Sequence, residues 1–222
     1  MKTIEGNGPS CPEQRQRWVF SFSVLGDLRF ISHHDTLRLF RRALARASFP
    51  VRYSEGFNPH PRIMMPLPRP VGIASDAEAI VIETDGPIEP EDALLRLERQ
   101  TPTDLRMLRV RRLEPGERLV PAMVRYRVEP ADPAIADLPH RLRQLLEADV
   151  VPVERKTPKK AGTSSVDIRP YIAAIVVDHG VVEMTLRVTG SGTAKPAEVA
   201  GLLGYEASAI NHRIRRLEIQ WR

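Results

Sequence analysis

Two periodicities alternate along this 222-residue chain, and their order leaves few folds open. Arg17 to Leu25 (RWVFSFSVL) sets Trp18, Phe20 and Phe22 at every second position, the pattern of a strand with one buried face. Thr36 to Ser48 then carries Leu37, Phe40, Leu44 and Ala47 at helical spacing, with Leu39 and Ala43 beside them and Arg38, Arg41, Arg42 and Arg46 opposite. Ser32 to Asp35 has the shape of a capping box for that helix, although Asp is a weaker reciprocal partner than Glu. Val51–Tyr53 and Arg62–Leu67 read as short extended runs, Glu78–Thr84 as a strand and Leu105–Leu113 as another. Between them Pro90–Gln100 reads as a helix with Leu94, Leu95 and Leu97 available for burial. The order is β-α-β-β-α-β, that of the ferredoxin-like split βαβ unit.

The same order recurs downstream. Met123–Val128 reads as a strand, Leu138–Ala148 as a helix with Leu142, Leu145 and Leu146 inward, and Val150–Glu154 as a strand. Lys156–Ser165 (KTPKKAGTSS) is a polar loop, and Ile172–Asp178 with Val181–Val188 flank a His179-Gly180 turn as a hairpin. Gly190–Lys195 is a second loop, Pro196–Leu203 a short helix and Ile214–Trp221 a closing strand. The expected fold is α+β, two ferredoxin-like halves in tandem. A flexible tail occupies residues 1–15, one half 16–114 and the other 122–222, with a flexible loop at 156–165. The halves share an order of elements without visible sequence likeness.

Hydrophobic content of 42% and charged content of 27% are those of a globular chain with a core to bury. Met1 to Pro12 lacks the basic and apolar regions of a signal peptide, and no apolar run approaches the roughly 18 residues of a membrane span. A cytoplasmic, non-membrane protein is expected. Cys11 is the only cysteine, which leaves no disulfide framework and no thiolate set for a zinc ribbon or an iron–sulfur cluster. The net charge of +5 is unevenly placed. Arg29, Arg38, Arg41, Arg42, Arg46, Arg52, Arg62 and Arg69 face only Asp35 and Glu55, whereas Asp76 to Asp104 is acidic apart from Arg96 and Arg99. Such blocks predict a basic face and an acidic face.

GSGTAKP at Gly190 has neither the ending of a P-loop nor the spacing of a dinucleotide fingerprint, so it reads as a loop and no cofactor is expected. His33, His34 and His60 do not converge as a metal set by spacing. In SHHD, Ser32 can cap the helix while His33 packs at its N-terminus. The same residues beside arginines can also form a phosphate-reading corner, or supply a general acid or base. In SEGFNPHPR, Gly56 permits a bend, and Pro59 and Pro61 bias Asn58 and His60 toward extended geometry. That stiffness presents His60 and Arg62 at low ordering cost, whether as a recognition loop or as a plain connection.

GDLRFISHHD, LFRRALARA, YSEGFNPHPRI and PLPRPVGI together resemble the bacterial radical-SAM-linked proteins. These are domains of unknown function that occur beside, or fused to, cobalamin-type radical SAM proteins. The residues carrying the resemblance are Gly26, Asp27, Arg29, Ser32, His33, Asp35, Tyr53, Ser54, Gly56, Phe57, Asn58, Pro59, His60, Pro61, Gly72 and Ser75. His34 falls on an unspecified position of the pattern. The resemblance implies a radical SAM enzyme as partner. A single cysteine means that the chain is not itself that enzyme.

Three functions follow as expectations. The first is a non-catalytic accessory protein that binds RNA, with Arg29, Arg38, Arg41, Arg42, Arg46 and Arg62 meeting phosphates and His60 reading shape or a base. The second is a metal-independent endoribonuclease, with His33 and His60 as acid and base. The third is a protein–protein adaptor docking through the acidic face.

Overall fold

The computed structural model of the protein describes residues 15–129, 135, 137–156, 162–206 and 210–222. The expected tail therefore lies outside the described residues except for Arg15, which opens the first strand. In chain order the elements are β1 (Arg15–Val24), α1 (His33–Arg46), β2 (Ile63–Met64), β3 (Ala74–Asp85), α2 (Pro90–Glu98) and β4 (Leu105–Arg112). Then come β5 (Pro121–Val128), α3 (Leu138–Glu147), β6 (Pro152–Lys156), β7 (Thr163–Asp167), β8 (Ile172–Asp178), β9 (Val181–Arg187), α4 (Pro196–Leu202) and β10 (Ile214–Trp221). Among the described residues this is a mixed α/β structure with four α-helices and one large mixed sheet. The sheet runs β4-β1-β3-β10-β5-β9-β8, with β2 beside β3. Neighbouring strands are antiparallel except β3 and β10, which pair in parallel through Ala74–Arg215 and Ser75–Arg216.

The period-two pattern of β1 buries Trp18, Phe20, Phe22 and Val24 in one cluster and Val19 in another, so the two sides of the strand serve separate cores. α1 covers the first with Phe40 and Leu44, and Phe22 meets Phe40 edge-on with ring centroids 4.9 Å apart. Thr36 and Ala43 complete the buried stripe of the helix. From α2, Ala93 and Leu97 join the same cluster, while Leu94 packs partly and Leu95 stays exposed. A second large cluster lies beneath α3 and α4, with Leu138, Leu145, Val199, Ala200 and Leu203 against Tyr126, Val128, Met184 and Leu186. The expected join between halves is itself packed: Leu113 and Leu119 lie with Val19, Ala79 and Val81 on the reverse side of the sheet.

Several elements depart from expectation. Val51 and Tyr53 form isolated bridges, to Thr84 and Pro61, rather than a strand, and the Arg62–Leu67 run shortens to two residues paired with Ile82 and Val81. Proline at 59, 61, 66 and 68 removes the backbone donors that a longer ladder needs. β6 does not enter the large sheet but pairs with β7 in a hairpin of its own. Of the expected flexible loop at 156–165, Lys156 and Thr163–Ser165 belong to these strands, and 157–161 lie outside the described residues. The His179-Gly180 turn fits its hairpin: φ is 46° and 80° at the two positions, the left-handed pair of a type I′ turn.

Candidate nucleic-acid interface

Ser32 starts α1. Its Oγ accepts from the Asp35 backbone N–H at 3.1 Å and donates to Asp35 Oδ2 at 2.7 Å. The bond from Ser32 is the main reason the Asp35 carboxyl lies below its ordinary range, and Arg38, donating to Oδ1 at 3.1 Å, adds to it. Arg38, Arg42 and Arg46 recur at every fourth position and so form one stripe. They line one side of a groove of about 570 Å³, with Leu39 in its floor. Arg99, Gln100, Thr101 and Pro102, the turn after α2, line the other. Arg46 spans the two walls, with Nε donating to Gln100 Oε1 at 3.1 Å and Nη2 to the Gln100 carbonyl. Arg42 and Arg99 have no ion-pair partner among the described residues. Asp35 is the one acid in the described lining, so a concave wall concentrates four guanidinium groups against one carboxylate.

The other arginines expected at a basic face sit elsewhere. Arg41 is exposed on α1 outside the groove lining. Arg62 lies 3.8 Å from Glu83, alongside β2. Arg29 is structural: Nε donates to the Gly26 carbonyl at 2.8 Å and Nη1 to the His212 carbonyl at 3.1 Å, tying the start of α1 to the turn before β10. At Gly26, φ is 49°, and a Cβ there would be strained and would have to displace the Asp104 carboxylate.

Beneath this corner is a buried polar seam that joins β3 to β10. Glu78 and Arg216 are each 1% exposed and pair at 2.8 Å. Arg216 Nη2 also donates to the Pro68 carbonyl and the Tyr126 hydroxyl, both at 3.2 Å. Arg69, 7% exposed, donates through Nη1 to the carbonyls of Arg29 at 2.7 Å and Ile73 at 2.6 Å. Burial lowers its pKa from the usual arginine value. Three buried atoms in this region, Glu78 Oε2, Arg216 Nε and His33 Nδ1, have no hydrogen-bond partner among the described residues. His33 is half-buried, and burial first, then His34, lowers its pKa, while Glu78 opposes the shift.

The loop from Tyr53 to Pro61 is a closed unit. Ser54 N–H donates to the His60 carbonyl at 2.9 Å, His60 N–H to Ser54 Oγ at 3.1 Å, and His60 Nδ1 lies 3.1 Å from Ser54 Oγ and 3.2 Å from the Asn58 carbonyl. Gly56 turns the chain with φ of 122°. Phe57, at the tip, is fully exposed. The two histidines singled out by the sequence are not neighbours. His33 begins α1 near the end of β3 where Val24 pairs with Ser75, whereas the loop hangs from the end where Val51 bridges Thr84. Nine residues of strand correspond to roughly 30 Å. This placement does not bring His33 and His60 together as acid and base.

Much of the acidic block is engaged in ion pairs, while Glu89 and Glu91 stay exposed at the start of α2. Asp76 pairs with Arg215, Glu78 with Arg216, Glu83 with Arg62, Asp85 with Arg52 and Asp92 with Arg96. Glu98 accepts from the Met107 N–H. Sequence reading missed Arg99, which it counted as a minority charge in this block. Its signal was its place just past α2, where the chain turns back toward the arginine helix. Among the described residues, no group of three or more His, Cys, Asp or Glu could hold a metal ion, and no helix is long and apolar enough to cross a membrane.

No curated protein matches this chain. A crystal structure of an unknown protein from Galdieria sulphuraria is similar over 94% of this chain and 99% of that chain, at 13% sequence identity and a TM-score of 0.28. Residues 17–196, which hold the arginine helix, the closed loop and the Glu78 end of the seam, match the model of a bacterial family. The chain belongs to that family, described as uncharacterized protein conserved in bacteria (DUF2344).

Proposed function

We propose that this protein is a non-catalytic accessory protein that binds RNA through the groove between α1 and the turn after α2, and that it works beside a radical SAM enzyme. The observation that carries the RNA reading is the convergence of Arg38, Arg42, Arg46 and Arg99 on one groove, where only Arg38 has an ion-pair partner among the described residues. Phosphates would replace the water at Arg42 and Arg99 without breaking an existing ion pair, while Arg38 and Arg46 are held ready by Asp35 and Gln100. The radical SAM partner rests on the resemblance of the motifs alone. We also read the sheet as two ferredoxin-like units joined at β3 and β10. The orders β4-β1-β3-β2 and β10-β5-β9-β8, each antiparallel throughout, support that reading, with β6 and β7 as an insertion.

RNA affinity measured against salt concentration tests the function. Four phosphate contacts on a single strand give a log–log slope of about −3, and Arg42→Gln with Arg99→Gln flattens it by about 1 to 2. A slope near zero, or one that the double variant leaves unchanged, removes the groove as the site.

A further inference from the structure

A phenylalanine held wholly in solvent on an ordered loop calls for a partner. Phe57 buries none of its ring, yet the loop that carries it is closed by Ser54 and His60, bent at Gly56 and fixed at its base by the Tyr53–Pro61 bridge. The base is tied in turn to β3: Arg52 N–H donates to the Glu83 carbonyl at 2.8 Å and Glu83 N–H to the Arg62 carbonyl at 3.0 Å. A floppy connection would need none of these bonds. Because the ring is already presented, little ordering entropy opposes its use in binding.

The surroundings of the ring define what it meets. Its neighbours are polar: the exposed side chains of Glu55, Asn58 and His60. His60 Nδ1 lies 3.1 Å from Ser54 Oγ and 3.2 Å from the Asn58 carbonyl, so the exposed imidazole brings ring nitrogens able to hydrogen-bond to the rim of the phenyl ring. The Asn58 amide adds both donors and an acceptor. A flat apolar face with hydrogen-bonding groups at its rim matches a nucleobase better than an apolar protein pocket, which would leave those groups dry and unpaired. The local cations are already matched, Arg52 by Glu55 and Asp85 and Arg62 by Glu83, so this loop is not a second phosphate site. It lies within reach of one. Tyr53 follows Arg46, the last groove arginine on α1, by seven residues, which caps their separation at about 25 Å.

We infer that Phe57 is a stacking platform for an unpaired base of the bound RNA, with Asn58 and His60 reading the edge of that base. The inference rests on the RNA reading above and narrows its substrate class: RNA with an unpaired nucleotide rather than a continuous duplex.

The test compares a short labelled single-stranded RNA carrying 2-aminopurine with a blunt duplex of the same length, on the wild-type chain, Phe57→Ala, Phe57→Trp and the Arg42→Gln/Arg99→Gln variant. Since Phe57 buries nothing, its substitution leaves the fold intact. Phe57→Ala weakens single-strand binding about 10- to 100-fold, leaves the salt slope and duplex binding unchanged, and abolishes the stacking quench of 2-aminopurine. Phe57→Trp restores both affinity and quench. If Phe57→Ala binds the single strand as the wild type does, the inference is overturned and the ring is left as an anchor for a protein partner. The groove reading survives that result provided the arginine variant still flattens the slope. No RNA binding by the wild-type chain overturns both.

Discussion

His33 sits where a positive charge is unwelcome: partly buried, beside His34, with its Nδ1 unpaired among the described residues. Its folded pKa lies below the ordinary 6.5, so the unfolded chain binds that proton more tightly. The consequence has a definite sign. Above pH 6.5 the residue is neutral in both states and costs nothing, and as pH falls through 6.5 the folded state is progressively disfavoured. His33→Gln removes this loss, so the denaturation midpoints of variant and wild type diverge on the acid side of 6.5 and run parallel above it. Curves that stay parallel throughout the acid range would show that His33 does not sense pH. The motif pattern separated His33 from His34, and the two differ in surroundings, His33 being half-buried and His34 exposed. What surrounds His33 was not legible. Glu78 read as one of a run of acids, and its partner Arg216 lies 138 positions away, brought back only by the register of β10 on β3.

α1 was the most legible element, because an apolar stripe at helical spacing with arginines opposite has few other uses. Its start was placed at Thr36, whereas the helix begins at His33, directly after its cap. Two adjacent histidines carry no periodic signal, and the first turn is fixed by Ser32, whose Oγ accepts from the Asp35 N–H and whose carbonyl accepts from the Thr36 N–H and hydroxyl. Ser32→Ala therefore destabilises the protein by about 1 kcal/mol in urea unfolding, and Ser32→Gly by only a few tenths. A loss well under that for alanine would mean that packing of Phe40 and Leu44 holds the turn without the cap. The short elements were less legible. A two-residue strand such as β2 exists because β3 is beside it, and alternation in Val150–Glu154 could not say which sheet the strand would join. The groove was half visible: its α1 wall was read from spacing, but the wall at Arg99 needed the packing of α2 against β4.

Across the whole molecule, β3 and β10 join the sheet at a buried polar seam that lies between its two large apolar clusters. Removing one member of a fully buried ion pair strands the other charge, at a cost of about 3–5 kcal/mol. Arg216→Met should lower stability by that amount, and Glu78→Leu added to it should recover most of the loss. Because the seam couples both cores, calorimetry of the wild-type chain gives one cooperative transition. Two separated transitions would show that the parts melt independently. The parallel contact at Ala74 and Ser75 also bears on how the protein is made. β10 follows every other described strand in the chain, yet it occupies the middle of the sheet, between β3 and β5. During synthesis, then, β3 and β5 emerge with unsatisfied edges that wait for their common neighbour. The nascent chain passes through a period when two half-sheets stand open, and the last strand acts as the keystone that closes both at once.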